Sequence, residues 1–175
     1  RFLTMWMSGQ DDDLWCYRSP GSGAVATLSK ENKDLSGDLI PLKLEAASLF
    51  DKFSIECKNG YKGANPLKVF GNLKGNELKD FWLQANRDAQ KAKKLPMLIY
   101  NPPGRAPALV GLCNLGLGAY FEGLYYKDEI NKLPYVFIRF NPTKAEEDLL
   151  PGMNLFELKA LFDIVPYWGK NENQC

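Results

Sequence analysis

Three residues of this sequence combine the side-chain types and the spacing that metal-assisted hydrolysis requires. Asp38 follows Gly37, and 18 residues later comes the segment Glu56-Cys57-Lys58. Two carboxylates can hold a divalent cation, which lowers the pKa of a bound water and polarises a phosphate. A lysine two residues beyond a carboxylate can orient that water and stabilise negative charge on the phosphate. The pattern therefore fits a phosphodiester-hydrolysing centre, with the backbone carbonyl of Cys57 as a further metal ligand.

The absence of histidine narrows the chemistry further. Zinc sites of the Cys₂His₂ or Cys₃His kind and Ser-His-Asp or Cys-His mechanisms are excluded, because each needs an imidazole. Four scattered cysteines make a poor Cys₄ site and favour a reduced, intracellular protein, although their number alone allows a disulfide framework. Oxygen ligands suit Mg²⁺, and Mn²⁺ is an alternative.

Two predicted strands position the carboxylates. Residues 38–44 (DLIPLKL) and 53–58 (FSIECK) are expected to be strands separated by a turn that includes Asp51 and Lys52. Side chains alternate along a strand, so Glu56 and Lys58 are expected to lie side by side on one face. Spacing alone leaves open that these two residues are a surface pair on a solvated edge strand.

A helix is predicted over residues 76–94, with Asn76 as its N-cap and an apolar stripe at helical spacing. Pro96 prevents its continuation, and residues 97–101 (MLIYN) are expected to be a buried strand. Strand, helix and strand in this order indicate a crossover unit in a mixed sheet.

Further helices and strands are expected at both ends of the chain and after residue 107. A helix over residues 2–8 is expected to begin upstream of Arg1, and a second helix is expected over 154–162. Further strands are predicted at 14–17, 108–113 and 135–140. Trp15, Tyr17, Trp82, Tyr125 and Tyr126 are assigned mainly to the core.

Composition and length set the broad class. The 175 residues fit one domain, and 45% hydrophobic residues can build a sizeable core. No apolar run could span a membrane and no secretory signal is visible, so an intracellular location is expected. Residues 1–105 hold 16 basic and 12 acidic residues, whereas residues 106–175 hold 6 and 9. Positive charge is therefore concentrated around the candidate centre, although ordinary solvated surface would explain the same distribution.

Four segments resemble the PD-(D/E)xK nuclease superfamily, most closely small bacteriophage-encoded nucleases related to Holliday junction resolvases. They are RSPGSGA (18–24), SGDL (36–39), FSIECKNGY (53–61) and FWLQANRDAQKAKKLPMLIYN (81–101). The resemblance covers roughly residues 5–112. It implies an α/β (α+β) fold of the restriction-endonuclease type, a mixed central β-sheet flanked by helices. We predict one nuclease-like domain over 1–175, with 113–175 as its C-terminal extension.

The resemblance implies roles for individual residues. Asp38 and Glu56 would be the metal ligands and Lys58 the catalytic lysine, whereas a polar residue on the following helix would lie near the scissile phosphate. We assign that place to Gln84, for which a solvated helix position is the alternative. Relatives of this type also carry a glutamate on the first helix. Residues 1–10 contain no acidic residue, so that ligand lies upstream of Arg1 or is absent, with Glu45 as a weaker substitute.

DNA contacts are predicted around this centre. Glycines of the 18–24 loop let the backbone approach a phosphate, and its hydroxyl and guanidinium groups can bind phosphate oxygens, although a simple tight turn is the alternative. The DNA-binding candidates are Arg18, Ser19, Ser22, Lys30, Lys33, Tyr61 and Lys62.

The sequence and the resemblance together predict a Mg²⁺-dependent endodeoxyribonuclease that cuts DNA, including branched or junction DNA. A catalytically inactive DNA-binding or protein-interaction module with the same fold is the alternative. The resemblance also implies a homodimer, for which the acidic C-terminal third is a candidate interface, and location in the host cytoplasm if the protein is phage-encoded.

Overall fold

The computed structural model describes residues 2–9, 14–19, 37–64, 77–104, 106–121, 130–141, 143–144, 146 and 151–164. The strands are β1 (Cys16–Arg18), β2 (Leu39–Pro41), β3 (Phe53–Asn59), β4 (Leu95–Asn101), β5 (Leu109–Leu112), β6 (Tyr135–Ile138) and β7 (Met153–Glu157). The helices are α1 (Phe2–Ser8), α2 (Leu44–Lys52), α3 (Glu77–Ala92), α4 (Asn114–Phe121) and α5 (Leu158–Ile164).

A mixed five-stranded sheet organises these elements in the order β3-β4-β5-β7-β6. Strands β3 and β4 are parallel, because α3 carries the chain back across the sheet between them, and the other neighbours are antiparallel. Strands β1 and β2 form a separate antiparallel pair. The predicted α+β fold with a mixed sheet flanked by helices is confirmed.

Helix α3 covers one face of the sheet. Its apolar stripe, which includes Leu78, Phe81 and Trp82, packs with Leu98 and Tyr100 of β4. Side chains at paired positions of parallel strands point to the same face, and Glu56 pairs with Leu98 while Lys58 pairs with Tyr100. The face of β3 that carries the acid and the lysine is therefore the face that α3 covers.

The opposite face of the sheet packs against α1, α2 and α5. Phe53 and Ile55 of β3 are buried there, together with Leu49 of α2 and Leu161 of α5. Strand β3 is thus buried on both faces over its first residues, which explains why Phe53 to Glu56 are all buried. A buried strand gives the acid on it a fixed backbone position.

Two predictions about elements and one about the core are wrong. Residues 38–44 are not one strand: β2 ends at Pro41, and residues 44–52 form α2, whose buried Ala46, Leu49 and Phe50 share one helical face. Residues 154–162 are not one helix, because β7 continues to Glu157 and α5 begins only at Leu158. Tyr17 is not a core residue, since it is 52% exposed.

The C-terminal part of the chain supplies two strands of the central sheet, because β7 lies between β5 and β6. Trp82 on α3 donates a hydrogen bond from Nε1 to the carbonyl of Pro151, just before β7. Tyr125 and Tyr126 lie outside the described residues. Among the helices that the structure describes, none has the length and apolar character needed to cross a bilayer.

Candidate active site

The second half of β3 brings the acid and the lysine together. Lys58 Nζ lies 2.6 Å from Glu56 Oε1, as expected for residues two apart on one strand face. The same ammonium donates to Gln84 Oε1 of α3 at 3.0 Å and lies 5.2 Å from the centre of the Phe81 ring. Lys58 is thus held from three sides, by β3 and by two residues of α3.

Backbone and side-chain hydrogen bonds fix Asp38 beside this pair. Its N–H donates to the carbonyl of Ile55 at 2.7 Å, and its own carbonyl accepts from the N–H of Ser19 at 2.8 Å. Its carboxylate Oδ2 accepts from the N–H of Cys57 at 2.8 Å. Every one of these bonds ties Asp38 to β3 or to the end of β1, so its carboxylate has a fixed place next to Glu56.

Gly37 makes this approach sterically feasible. It forms a parallel bridge with Ile55, and its φ of +87° lies in the left-handed region that favours glycine. A Cβ at this position would lie 2.6 Å from the carbonyl oxygen of Ile55 and 2.9 Å from its nitrogen. The glycine therefore lets the chain carrying Asp38 lie directly against the backbone of β3.

The three residues line one cleft of about 570 Å³. Asp38 and Glu56 are only 6% and 3% exposed, so their carboxylates lie deep within it. Arg18 at the end of β1 and Tyr61 after the end of β3 line the same cleft, and both are exposed. The cleft combines two buried acids with two cationic side chains, those of Arg18 and Lys58.

Burial is the main electrostatic influence on the acid of β3. It raises the pKa of Glu56, the hydrogen bond from Lys58 opposes that rise, and the nearby charge of Asp38 adds to it. Burial also raises the pKa of the Cys57 thiol to about 12, and the charges of Asp38 and Glu56 contribute to this shift. The Cys57 thiol is therefore protonated at neutral pH in the metal-free protein.

These groups fit a hard divalent cation. The two buried carboxylates repel each other, as the effect of Asp38 on the pKa of Glu56 shows, and a cation between them would remove that repulsion. Among the described residues, no cluster of three or more Asp, Glu or Cys side chains is placed to hold a metal ion. A site with two carboxylates suits Mg²⁺, which keeps several water ligands.

The structure brings together Asp38, Glu56, Lys58, Gln84, Arg18 and Tyr61, all of which line the cleft. Ser19 is buried, and its N–H holds Asp38, so its side chain does not have the exposure that the predicted DNA contact needs. Lys62 is exposed just beyond Tyr61. Glu45 is exposed in the first turn of α2 and does not line the cleft, so it does not replace the first-helix acid. Ser22, Lys30, Lys33 and Asn76 lie outside the described residues.

Two asparagines that line the cleft are not among the site residues predicted from the sequence. Asn59 and Asn101 are the last residues of β3 and β4, they are paired in the strand register, and both line the cleft. A signal for them existed, because ligands of open α/β sheets bind outside the carboxyl ends of parallel strands. Polar residues ending two consecutive predicted strands could have been added to the site on that ground.

Comparison with known protein families gives a match. The model of the family described as "Phage putative PDDEXK endonuclease" matches residues 4–114, a region that contains every residue of the cleft named above. No curated protein and no solved structure matches the chain.

Proposed function

Since the chain belongs to the phage PDDEXK endonuclease family, we propose that it is a metal-dependent endonuclease that hydrolyses phosphodiester bonds of DNA at the Asp38–Glu56–Lys58 cleft. The observation that carries the proposal is the convergence of two buried carboxylates and a lysine held in place from three sides. Burial and the charge of Asp38 both raise the pKa of Glu56, and buried acids whose pKa values are perturbed in this way are typical of functional sites. The match of the family to this part of the chain supports the same assignment.

Asp38 and Glu56 would hold the metal ion, with the backbone carbonyl of Cys57 as a further ligand. The bound ion, Mg²⁺ or Mn²⁺, would supply an acidified water and charge neutralisation at the phosphate. The fixed position of Asp38 supports this role, because a ligand already held by three hydrogen bonds loses little freedom when the ion binds.

Lys58 would orient the attacking water and stabilise the negative charge that develops on the phosphate. Its ammonium has three donors, of which the contacts with Glu56 and Gln84 use two. The third donor remains for water or a phosphate oxygen. Gln84 acts on the reaction through Lys58, because its Oε1 fixes the direction of the ammonium.

Arg18 would bind a non-bridging oxygen of the same phosphate from the side of β1. Arg18 lines the cleft together with the two acids. The neighbouring Ser19 N–H is bonded to the carbonyl of Asp38, so the end of β1 has a fixed position relative to the metal ligands. A guanidinium can bind a phosphate with two parallel hydrogen bonds.

The test is cleavage of a panel of linear duplex, single-stranded, flapped and four-way-junction DNAs of matched sequence. Each DNA is incubated with the protein and Mg²⁺, Mn²⁺ or EDTA. We expect internal cuts with Mg²⁺ or Mn²⁺, none with EDTA, and preference for branched DNA. Equal cleavage in EDTA, or no cleavage of any DNA with either metal, would contradict the proposal.

We also propose that the protein acts as a homodimer. Strand β6 is the last strand of the sheet in the described part of the chain, and it exposes Tyr135 by 52% and Phe137 by 50%. An exposed edge strand with large apolar side chains supports association through the C-terminal third. Sedimentation that gives the mass of a monomer at micromolar concentration would contradict this.

A further inference from the structure

Asn59, Tyr61 and Asn101 line the cleft where the parallel strands β3 and β4 end, and Gly60 connects Asn59 to Tyr61. We call these four residues the rim. Two backbone hydrogen bonds fix the rim. The N–H of Gly60 donates to the carbonyl of Asn101 at 2.9 Å, and the buried Tyr100 donates from its hydroxyl to the carbonyl of Tyr61 at 2.8 Å.

The ring of Tyr61 is held and yet accessible. Gly60, the residue before Tyr61, has a φ of +79°, which lies in the left-handed region that favours glycine. The Tyr61 ring packs edge to face with Phe81, with 4.8 Å between the ring centres, and it remains 44% exposed. An aromatic side chain with so much exposed surface, already fixed by its neighbours, can bind a flat ligand with little loss of conformational entropy.

The rim also carries polar groups beside that ring. Asn101 donates from Nδ2 to Oδ1 of Asn59 at 2.8 Å, and both side chains are exposed. Each amide has two donors and an acceptor oxygen, so this single bond leaves the pair with both donor and acceptor capacity. Such a combination, next to an aromatic ring, matches the face and the hydrogen-bonding edge of a nucleobase.

Phe81 connects the rim to the lysine of the centre. Its ring packs against that of Tyr61, and the ammonium of Lys58 lies 5.2 Å from the centre of the same ring. A phosphate that reaches Lys58 therefore carries its own nucleoside to the neighbourhood of Tyr61. Because Asp38 and Glu56 lie deep in the cleft, the phosphate must enter it. An unpaired base can follow its phosphate to the rim at the least cost, because a paired base must first be unstacked and unpaired.

We propose that the rim binds an unpaired nucleobase next to the scissile phosphate, with its face on Tyr61 and its edge on Asn59 and Asn101. The inference rests on the proposed nuclease function and specifies its substrate class. That class is DNA with at least one unpaired base beside the bond that is cut, as in a single strand, a flap or the open centre of a branch.

The test separates base binding from cleavage by measuring affinity in EDTA. Fluorescence anisotropy compares a labelled oligothymidylate with an abasic oligomer that has the same number of phosphates. Wild type should bind the oligothymidylate about tenfold more tightly than the abasic oligomer, since stacking of a base on an aromatic side chain contributes to affinity on that scale. Tyr61→Ala should lose this ratio, whereas the matched variant Tyr61→Phe should keep it. Asn101→Ala should reduce it partly.

The proposal is overturned if wild type binds both oligomers equally or binds neither, or if Tyr61→Ala weakens both by the same factor. It is also overturned if Tyr61→Phe loses the ratio as fully as Tyr61→Ala does. Failure of the nuclease proposal has a different signature, because base-dependent binding in EDTA would then persist while no DNA is cut with Mg²⁺ or Mn²⁺.

Discussion

Replacement of Gly37 by alanine should destabilise the protein, although it adds only one methyl group. The added Cβ would meet two backbone atoms of Ile55 at 2.6 and 2.9 Å, and neither can move without displacing β3. The φ of +87° adds a cost of about 1–2 kcal/mol for a residue with a Cβ. Steric overpacking of this kind costs a further 1–3 kcal/mol, roughly. We expect Gly37→Ala to lower the free energy of unfolding by about 2–5 kcal/mol.

Gly104 provides a matched control. Its φ of +86° is nearly that of Gly37, but a Cβ there would meet nothing within 4 Å. Gly104→Ala should therefore show the conformational cost alone, and the difference between the two variants should report the contact with Ile55. Each kcal/mol lowers Tm by about 2–4 °C in a chain of this length. Thermal unfolding by circular dichroism measures both, and equal Tm values for the two variants would refute the reasoning.

Three further predictions concern Glu56, Gln84 and Glu146. Burial raises the pKa of Glu56 above its ordinary value of 4.5. The charged carboxylate therefore destabilises the metal-free fold at pH values above the raised pKa, and this destabilisation disappears as the pH falls to 4.5. Glu56→Gln should therefore raise Tm in EDTA at neutral pH but not near pH 4.5, and a pH-independent change would contradict this. Gln84→Ala should lower kcat by about 10- to 100-fold with little change in KM, because Lys58 loses a charge-assisted bond. An effect of Gln84→Ala confined to KM would contradict its positioning role. The N–H of Thr143 and the ammonium of Lys79 lower the pKa of Glu146 to about 2, so its stabilising effect is present above 4.5 and lost as pH falls toward 2. The Tm difference between wild type and Glu146→Gln should shrink over that range, and acid titration followed by circular dichroism would measure it.

The sequence was a good guide where side-chain periodicity was strong. The spacing of Glu56 and Lys58 predicted their contact, and the structure has it at 2.6 Å. The place of Gln84 beside the apolar stripe of α3 predicted a position near the sheet, and its bond to Lys58 agrees with that. In each case a local rule, alternation on a strand or the helical repeat, determines which side chains meet.

The sequence was a poorer guide where long-range contacts decide. The prediction of a strand over residues 38–44 and of a turn with Asp51 and Lys52 rests on local pattern alone, whereas residues 44–52 form a helix because Leu49 and Phe50 are buried against β3. The helix predicted over residues 154–162 likewise overlaps a strand, residues 153–157, which is stabilised by pairing with β5 and β6 on both sides.

Contacts formed through the backbone were not predictable from residue types. The N–H of Ser19 holds Asp38, and the carbonyl of Tyr61 is held by Tyr100. Any residue could supply such a backbone group, so the sequence carries no specific signal for these bonds. Asn59 and Asn101 differ, because their position at the ends of two strands is a signal in the sequence and only their pairing depends on the register between β3 and β4.

The most direct test of the central claim is cleavage of the preferred DNA by variants of the three centre residues. Asp38→Ala, Glu56→Ala and Lys58→Ala are compared with wild type and with Asp51→Asn, which alters an exposed acid at the end of α2 outside the cleft. We expect Asp51→Asn to cleave like wild type with Mg²⁺ or Mn²⁺, and each of the other three to lose cleavage while DNA binding largely survives. Retained cleavage in all three would contradict the assignment of Asp38, Glu56 and Lys58 as the catalytic centre.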